Sequence, residues 1–300
     1  MKRPHPFLLY GAFALVTFIW GTTWGVIRVG LEAGLPPFAG VSLRFALASL
    51  VLFLLAPFLG VRFEPSRRVR WLWIMNAALN FSLPYAVVHW GEQWVPSGLA
   101  AVLFATYPLM LALLAHLVLP AERLRWLSTA GILVGFAGVA VIFSADLVGL
   151  QGTSVAGVSA VLLLAPFSSA ITSVVIKRWG KGVHPFSLTA VPMGLTAGFM
   201  GAVSLAVEPG PPAWMNQVSL GALVYLGILG SAVTFTLYFW MLSHMQVTRL
   251  SLMTYIIPVV AVVVGTVFLD EHFTARTLPG SVLVLIGVAL AARRRRKGTA

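Results

Sequence analysis

The residues of this chain that could do chemistry are polar side chains inside long apolar stretches. Arg44 is the one basic residue well inside such a stretch, and a guanidinium group can pair with a carboxylate. Asn76, Asn80, Tyr85 and His89 share the third apolar stretch at helical spacings, and they supply amide, hydroxyl and imidazole groups. This chemistry is non-covalent, so the residues predict a binding site for a small zwitterionic or aromatic solute.

Polar and aromatic residues of other apolar stretches extend this candidate site. A polar group inside a membrane costs free energy, so each one is a candidate functional residue. The candidate solute-binding residues are Trp20, Trp24, Arg44, Asn76, Asn80, Tyr85, His89, Ser169, Thr172, Thr234, Tyr238 and Tyr255. Pro84 adds a backbone break in the third stretch, and such a break is tolerated where it lines a cavity.

Each candidate also has a structural interpretation. Arg44 could instead bond helix-end carbonyls or an acid near the membrane surface, and Trp24 could belong to the interfacial aromatic belt. Serine and threonine hydroxyls in membrane helices often bond their own backbone. His89 could be a hydrogen-bonded residue at a helix interface instead of a proton carrier. Glycine pairs such as Gly131 and Gly135 favour close helix packing over ligand binding.

The composition is that of a membrane protein. Hydrophobic residues make up 59% of the 300 residues and charged residues 9%, and the mean hydropathy is +0.94. Soluble proteins average about 45–50% apolar and about 25% charged residues. So little charge cannot cover a water-facing surface, which excludes a soluble globular protein and a cytosolic enzyme. The absence of cysteine excludes a disulfide framework, a cysteine zinc site and an iron–sulfur cluster.

Ten apolar stretches are long enough for membrane helices, which need about 20 mainly apolar residues. The stretches are continuous, whereas the strands of a membrane barrel would be about ten residues long with alternating polarity. The sequence therefore predicts an all-α polytopic membrane protein with ten transmembrane helices. The predicted spans cover residues 8–29, 38–59, 70–90, 96–119, 126–144, 154–176, 184–207, 218–240, 248–269 and 277–292.

The basic residues orient these helices. With the N-terminus inside, all but three of the 20 lysines and arginines lie at cytoplasmic ends, the exceptions being Arg28, Arg44 and Arg276. Basic residues are enriched in cytoplasmic loops, so both termini are predicted to be cytoplasmic. The same rule accounts for the net charge of +12 without a nucleic-acid partner. The basic segment 293–297 is interpreted as a topology anchor at the lipid surface.

The two halves of the chain carry the same motif. In each, a proline is followed by a glutamate about fourteen residues on, and then by two glycines. The positions are Pro108, Glu122, Gly131 and Gly138 in the first half, and Pro258, Glu271, Gly280 and Gly287 in the second. They predict two five-helix repeats, residues 1–150 and 151–300, which enter the membrane in opposite senses and allow alternating access. The prolines are candidate helix kinks and hinges, and each glutamate is expected to stabilise the N-terminus of the last helix of its half.

Ten helices in two halves with this Pro-Glu-Gly pattern resemble the drug/metabolite transporter superfamily and, within it, the EamA-type transporters. Trp20-Gly21 with Trp24, and Arg44 followed by Phe45, fit the first-half pattern of that family. The resemblance covers essentially the whole chain. It implies an exporter of amino acids or similar small metabolites across the bacterial inner membrane, and it does not specify the substrate.

Other activities lack their characteristic residues. No Asp or Glu lies deep in a predicted span, although proton- and cation-coupled carriers usually need one, so facilitated or weakly coupled export is expected, with His89 the nearby titratable residue. No HExxH, GxSxG or Gly-rich phosphate loop is present, so neither catalysis nor a metal or other cofactor is expected. The alternatives are an exporter of drugs or amines, a membrane-embedded enzyme and a scaffold. The expected partners are a small solute and the lipid bilayer, with the protein a monomer or a homodimer.

Overall fold

The computed structural model consists of helices and connecting turns, and no strand occurs among the residues that it describes. These are residues 4–91, 94, 102–122, 124–142, 144, 153–208, 216–268 and 275–292. The α-helices are α1 (Pro6–Glu32), α2 (Pro37–Leu55), α3 (Arg67–Asn76), α4 (Leu83–Gly91), α5 (Tyr107–Val118), α6 (Trp126–Ile142), α7 (Thr153–Leu162), α8 (Leu164–Trp179), α9 (Pro185–Val207), α10 (Gln217–Gly227), α11 (Thr234–His244), α12 (Val247–Leu250), α13 (Met253–Phe268) and α14 (Thr277–Ala292). Two π-helical segments, π1 (Ala77–Ser82) and π2 (Ile228–Val233), join α3 to α4 and α10 to α11.

Six helical stretches in the described part of the chain are long and apolar enough to cross a membrane. They are Pro6–Glu32, Pro37–Leu55, Arg67–Val88, Gly157–Trp179, Pro185–Val207 and Gln217–His244. Four shorter apolar helices lie at the other predicted spans, namely Val102–Val118, Trp126–Ile142, Val247–Val260 and Leu278–Ala291. The all-helical, polytopic membrane fold is thereby confirmed. The count of ten spans stays a prediction, because these four are shorter than the usual length of about 20 residues.

The largest buried cluster lies where α1, α2, π1, α5, α8, α9 and α11 meet. Phe45, Phe81, Leu111, Met193 and Met241 are fully buried in it. A second buried cluster joins α5, α6, α13 and α14 beside it. The bundle that surrounds the polar residues of the candidate site is therefore formed by helices from both the first and the second half of the chain.

A Gly-x-x-Pro sequence, Gly34 to Pro37 and again Gly182 to Pro185, forms the same turn between α1 and α2 and between α8 and α9. Gly34 has a φ of +89° and Gly182 a φ of +84°, which is a left-handed conformation that glycine adopts without steric cost. Pro37 and Pro185 then begin α2 and α9, because the fixed φ of proline suits the first helical residue. The motif thus ends one helix and starts the next in both connections.

Each of these turns is held by a side chain that bonds the carbonyl one residue before the glycine. Asn216 Nδ2 donates to the carbonyl oxygen of Ala33 at 2.9 Å. Arg68 donates from its guanidinium to the carbonyl oxygen of Lys181 at 3.1 Å. Carbonyls at a helix end have no partner within the helix, so these two bonds satisfy them and tie α10 to α1 and α3 to α8.

Glu208 holds the N-terminus of α2, the helix that carries Arg44. Its two carboxylate oxygens accept from the backbone N–H groups of Phe38 at 2.6 Å and Ala39 at 2.9 Å. Ser204 donates to the same carboxylate at 2.6 Å. The first N–H groups of a helix lack partners and favour negative charge, so this contact fixes the start of α2 against the end of α9.

Helices α6 and α14 pack as an antiparallel pair through glycines. A Cβ on Gly138 would lie 2.7 Å from the carbonyl oxygen of Gly280, and one on Gly131 would lie 2.6 Å from that of Gly287. The two backbones therefore touch where the glycines face each other. Gly135 also packs against Tyr255, because a Cβ on Gly135 would lie 2.7 Å from a ring carbon of that tyrosine. The glycine spacing seen in the sequence thus serves close helix packing, which small residues make possible in membranes.

Helices α2 and α9 are joined by serine hydroxyls. Ser42 Oγ donates to the carbonyl oxygen of Ala197, and Ser49 Oγ donates to that of Ala190, both at 2.8 Å. A Cβ on Gly194 would lie 2.9 Å from Ser49 Oγ, so the absence of a side chain there leaves room for the serine. Such interhelical bonds hold membrane helices together where the hydrophobic effect does not.

Replacing Gly287 with alanine should destabilise the fold. The new Cβ would lie 2.3 Å from the backbone nitrogen of Gly135, so α6 and α14 would have to separate. Overpacking of this kind costs about 1–3 kcal/mol. Thermal unfolding of the purified protein in detergent measures the effect. Gly198→Ala is the matched control, because nothing lies within 4 Å of its added Cβ, and equal stability of the two variants would contradict the packing.

Candidate solute-binding site

Two π-helical segments mark the middle of the candidate site. π1 ends directly before Leu83 and Pro84, where the missing N–H of proline leaves the carbonyl of Asn80 without its regular helical donor. The backbone break predicted at Pro84 is therefore present. π2 contains Gly230 and no proline, so its sequence gives no comparable signal. π-helical turns are rare and occur frequently at functional sites.

Arg44 reaches from α2 to π2. Its Nε donates to Ser231 Oγ at 3.1 Å, and one terminal nitrogen donates to the same oxygen at 3.0 Å and to the carbonyl oxygen of Gly230 at 3.4 Å. The side chain is 5% exposed. The guanidinium carbon lies 5.3 Å from the ring centre of Phe45 and 5.6 Å from that of Tyr85, which are cation–π distances.

The charge of Arg44 has only neutral hydrogen-bond partners among the described residues. Its carbonyl partner, Gly230, lies in the middle of a helix and not at a helix end, and no acid among the described residues bonds it. A buried cation is stabilised well only by an opposite charge or several hydrogen bonds. Arg44 can therefore bind an anionic group, and a carboxylate matches the guanidinium in geometry.

Thr196 on α9 bonds π1 in the way that Arg44 bonds π2. Its Oγ1 donates to the carbonyl oxygen of Ala77 at 3.2 Å and lies 3.1 Å from Ser82 Oγ. Both are residues of π1, so each π segment receives a side chain from a long neighbouring helix. The sequence singles out Arg44 by its charge, whereas Thr196 has no feature that separates it from other threonines in apolar helices.

Three buried hydroxyls from three helices meet in a triangle. Tyr107 Oη of α5, Ser173 Oγ of α8 and Tyr238 Oη of α11 lie 2.9 Å from one another. Tyr238 is a predicted site residue, whereas Tyr107 is not among the residues predicted for the site. Ser173 lies one helical turn after the predicted Ser169, and this spacing is the signal that could have added it. A hydroxyl both donates and accepts, so the triangle can exchange its internal bonds for bonds to a solute.

A chain of aromatic rings connects Arg44 with this hydroxyl triangle. Successive ring centres lie 5.0 Å apart from Tyr85 to Phe45, 5.3 Å from there to Phe81, 4.9 Å to Phe235 and 5.1 Å to Trp20. The Trp20 ring centre is also 5.7 Å from that of Tyr238. The structure thus links four predicted residues, Trp20, Arg44, Tyr85 and Tyr238, through an apolar aromatic strip with polar groups at both ends.

Two predicted residues bond the protein itself. Asn76 Nδ2 donates to the carbonyl oxygen of Leu188 at 2.7 Å and so ties α3 to α9. Thr172 Oγ1 donates to the carbonyl oxygen of Ser168 in its own helix at 3.0 Å, which is the structural interpretation given for such residues. Asn76 Oδ1 remains buried without a partner in the described part of the chain. A carbonyl oxygen in that state can still accept a hydrogen bond.

Among the other predicted residues, two have a buried hydroxyl without a described hydrogen-bond partner, and one of these two lies away from the aromatic strip. Thr234 Oγ1 and Tyr255 Oη are buried and have no hydrogen-bond partner among the described residues. Asn80 lies in π1 and is half-buried, and Ser169 is buried in α8. Tyr255 packs on Gly135 in the second buried cluster, so it is separate from the aromatic strip.

The side chains of Trp24 and His89 lie outside the described residues, although their helices α1 and α4 are described. The two predicted hinge prolines have different settings. Pro108 lies in the first turn of α5, directly after a turn at residues 105–106, whereas Pro258 lies inside α13. Pro258 thus lies within a continuous helix, whereas at Pro108 a turn precedes the helix that contains the proline.

Lys177 ties together the end of the bundle where α8 and α11 terminate. Its Nζ donates to the carbonyl oxygens of Leu242 at 2.7 Å and Met245 at 2.6 Å, in and just after the last turn of α11. The next residue, Arg178, donates to the carbonyl oxygen of Val118 at the end of α5. Two neighbouring cations of α8 therefore hold the C-terminal ends of two other helices, where the helix dipole favours positive charge.

Glu122 stabilises a helix other than the one predicted. It was expected to act on the last helix of its own half, which is α6, but its carboxylate accepts from the backbone N–H groups of Val247 at 3.1 Å and Thr248 at 3.5 Å, at the start of α12. The N–H groups at the start of α12 lie beside the carboxylate and have no acceptor within their own helix, so they donate to it. Burial raises the pKa of Glu122, and the N–H of Val247 and the charge of Lys177 oppose the rise. The corresponding Glu271 lies outside the described residues.

Replacing Glu122 with alanine should lower the free energy of unfolding by about 1 kcal/mol, the usual effect of losing a helix N-cap. The N–H groups of Val247 and Thr248 would be left without their carboxylate acceptor. Thermal unfolding in detergent measures the loss. Glu64→Ala removes the same charge from an exposed position and is the control. A stability loss no larger than that of the control would contradict the capping contact.

Metal ligation has no support in the described residues, which contain no group of three or more His, Asp or Glu side chains placed to hold an ion. The polar groups of the site are one guanidinium, several hydroxyls and amides. These groups bind solutes through reversible hydrogen bonds and ion pairs.

The fold and the site together define a class of protein. A polytopic helical bundle with a buried cation and buried hydroxyls between its helices is typical of membrane transporters. The chain belongs to the EamA-like transporter family, whose sequence pattern matches residues 8–144 and again residues 156–293. It is therefore a multi-pass membrane transporter, as the sequence resemblance indicates.

Relatives with curated names are transporters too, which argues against an enzyme. The chain is 27% identical over 273 residues to YoaV, an uncharacterized transporter of Bacillus subtilis, covering 91% of this chain and 92% of that protein. It is 31% identical over 291 residues to a probable terminal-alkyne amino-acid exporter of Streptantibioticus cattleyicolor, covering 94% and 93%. It is 28% identical over 273 residues to YedA, an uncharacterized inner membrane transporter of Escherichia coli, covering 86% and 82%.

A solved crystal structure has the same fold. It superimposes with a TM-score of 0.82 at 20% sequence identity and covers 94% of this chain and 96% of its own. The identity is low, so this likeness concerns the architecture of the bundle alone.

Proposed function

We propose that this transporter exports small solutes that carry a carboxylate, amino acids or related zwitterionic and aromatic metabolites, across the bacterial inner membrane. The observation that carries the proposal is Arg44, a buried cation whose described partners are neutral and which faces an aromatic ring chain. A carboxylate would pair with this guanidinium, and the rings would hold an apolar side chain. The relative named as a probable amino-acid exporter supports the same substrate class.

The proposed architecture has ten membrane helices in two inverted repeats, residues 1–150 and 151–300. Three observations support it: the family pattern matches each half once, the turns at Gly34 and Gly182 have the same conformation, and π1 and π2 interrupt corresponding helices. The antiparallel glycine contact between α6 and α14 is also what two opposed halves would form. Two similar halves of opposite sense can adopt two packings of similar energy, each open to one side.

The proposed transport cycle uses these elements as follows. Both termini lie in the cytoplasm, so the end that Lys177 holds is the cytoplasmic end. The solute binds through Arg44, Asn80 and Tyr85, with Trp20 and Tyr238 along the aromatic strip, and the helices that contain Pro108 and Pro258 move as the bundle opens. No carboxylate bonds the site in the described residues, so transport is facilitated or only weakly coupled to protons.

Export of drugs or amines is the other function that this fold could serve. The positive charge of Arg44 disfavours it, because an amine and a guanidinium in one buried site repel each other. A neutral drug would leave Arg44 without a partner of opposite charge. The carboxylate-bearing solutes are therefore preferred.

Counterflow in proteoliposomes tests the proposal. Vesicles preloaded with one unlabelled compound are mixed with its labelled form, using a panel of amino acids, nucleosides and aromatic amines. We expect saturable exchange of amino acids, strongly reduced in Trp20→Ala and unchanged in Trp126→Ala, which removes an indole that is 82% exposed. Exchange of amines alone would favour the alternative, and a lack of exchange with every compound by folded protein would contradict both.

A further inference from the structure

A second polar cavity lies at the end of the bundle opposite the start of α2. It has a volume of about 110 Å³ and is lined by residues before and within α6 together with residues around α12. Its polar lining is formed by Glu122, Arg125, Ser128, Gln246, Thr248 and Arg249. One water needs about 15 Å³ of such a cavity, so the space accommodates a group the size of a phosphate.

The lining has an unused positive charge. The guanidinium groups of Arg125 and Arg249 form no hydrogen bond among the described residues, and Arg249 is only half exposed. The carboxylate of Glu122, in contrast, already accepts from the N–H groups of Val247 and Thr248. The charge of Lys177 also acts on this carboxylate, so the two guanidinium groups remain to balance a bound anion.

The surroundings favour a phosphate group at this place. Arginines bind phosphate with two parallel hydrogen bonds. The hydroxyl of Ser128, which makes a long bond of 3.4 Å to the carbonyl oxygen of Ala291, lies in the same lining. Ala291, near the end of α14, also lines the cavity, and the basic segment 293–297 follows it in the sequence. Basic pockets between membrane helices on the cytoplasmic side bind anionic headgroups.

We propose that this cavity binds a phosphate group, either the phosphodiester of an anionic phospholipid headgroup or a free inorganic phosphate ion. Because Arg125 belongs to the α5–α6 connection and Arg249 to α12, the bound group ties these two segments together. The site is separate from the candidate solute site around Arg44, and binding here does not depend on the transported solute.

Ligand binding to purified protein in detergent tests this site. Binding of phosphatidylglycerol, phosphatidylcholine and inorganic phosphate is followed by native mass spectrometry and by the shift in unfolding temperature. We expect phosphatidylglycerol to bind about tenfold more tightly than phosphatidylcholine, and Arg125→Gln with Arg249→Gln to remove this preference. Arg62→Gln with Arg67→Gln removes the same charge from exposed positions on the same proposed side and should change binding by about twofold at most.

The outcomes separate the two phosphate sources. Competition by inorganic phosphate that is lost in the Arg125/Arg249 variant would assign the site to a free ion, and binding of phosphatidylglycerol alone would assign it to the lipid. Ser128→Leu fills the cavity without changing its charge, so this variant should also abolish binding. It provides the test if the double arginine variant folds poorly. Equal binding to the double variant and the Arg62/Arg67 control would overturn the proposal. So would a wild type that binds neither phosphatidylglycerol nor inorganic phosphate more tightly than phosphatidylcholine. These readouts involve no transport, so a failure here is distinct from a failure of the proposed function.

Discussion

Replacing Arg44 with glutamine should raise the KM for a carboxylate-bearing solute about 10- to 100-fold. A hydrogen bond to a charged group contributes about 1.5–3 kcal/mol, and each 1.4 kcal/mol is a factor of about ten in affinity. The variant should still fold, because the partners that Arg44 leaves behind, Ser231 and Gly230, are neutral. Concentration-dependent exchange in proteoliposomes gives the KM.

Two further variants separate charge from structure in this experiment. Arg44→Lys keeps the charge but lacks the planar fork of the guanidinium, so its KM should also rise. Ser231→Ala removes the neutral partner and leaves the cation, and it should have a much smaller effect. An Arg44→Gln variant that folds and keeps the wild-type KM would remove Arg44 from the solute site.

Replacing Lys177 with methionine should open the proposed cytoplasmic end of the transporter. The two bonds from Nζ to the carbonyl oxygens of Leu242 and Met245 would be lost, and with them a charged contact between α8 and the end of α11. We expect the fraction of molecules that are open at this end to rise about tenfold or more, because the closed state loses the contribution of at least one hydrogen bond from a charged group. When the two halves are aligned at Gly34 and Gly182, the residue that corresponds to Lys177 in the first half is Val29. The side chain of Val29 cannot donate a hydrogen bond.

The absence of cysteine makes this prediction simple to measure. Ser169→Cys introduces a single thiol at a buried position of α8, and its reaction rate with a membrane-impermeant maleimide in inside-out vesicles reports opening. The rate should rise about tenfold in Lys177→Met and stay unchanged in Lys181→Met, which removes an exposed charge from the same end. Equal rates in the two variants would show that Lys177 does not hold the bundle closed.

The sequence predicted features that depend on local patterns. The apolar stretches predicted the helices, and the glycines of α6 and α14 predicted the close packing of these two helices. Pro84 predicted the interruption of the helix at π1. In each case the cause lies within one helix or in the missing side chain of one residue. Trp20 and Tyr238 were also found as candidates because polar aromatic residues are costly in apolar helices.

The contacts between distant helices were not predictable in this way. Arg44 and Ser231 are 187 positions apart, and the triangle of Tyr107, Ser173 and Tyr238 depends on how three helices are rotated towards each other. Glu122 was assigned to α6 because it precedes that helix, whereas the fold brings the start of α12 closer to it. A single sequence contains no measure of these rotations, so residue type and spacing leave the partners open.

The central claim is that Arg44 selects solutes by their carboxylate, and one comparison tests it directly. The amino acid that exchanges fastest in proteoliposomes is compared with the amine that lacks only its carboxylate, in the wild type and in Arg44→Gln. We predict that the wild type prefers the amino acid about tenfold or more and that the variant loses this preference. Equal exchange of the two compounds by the wild type, or a preference that survives in folded Arg44→Gln protein, would contradict the account.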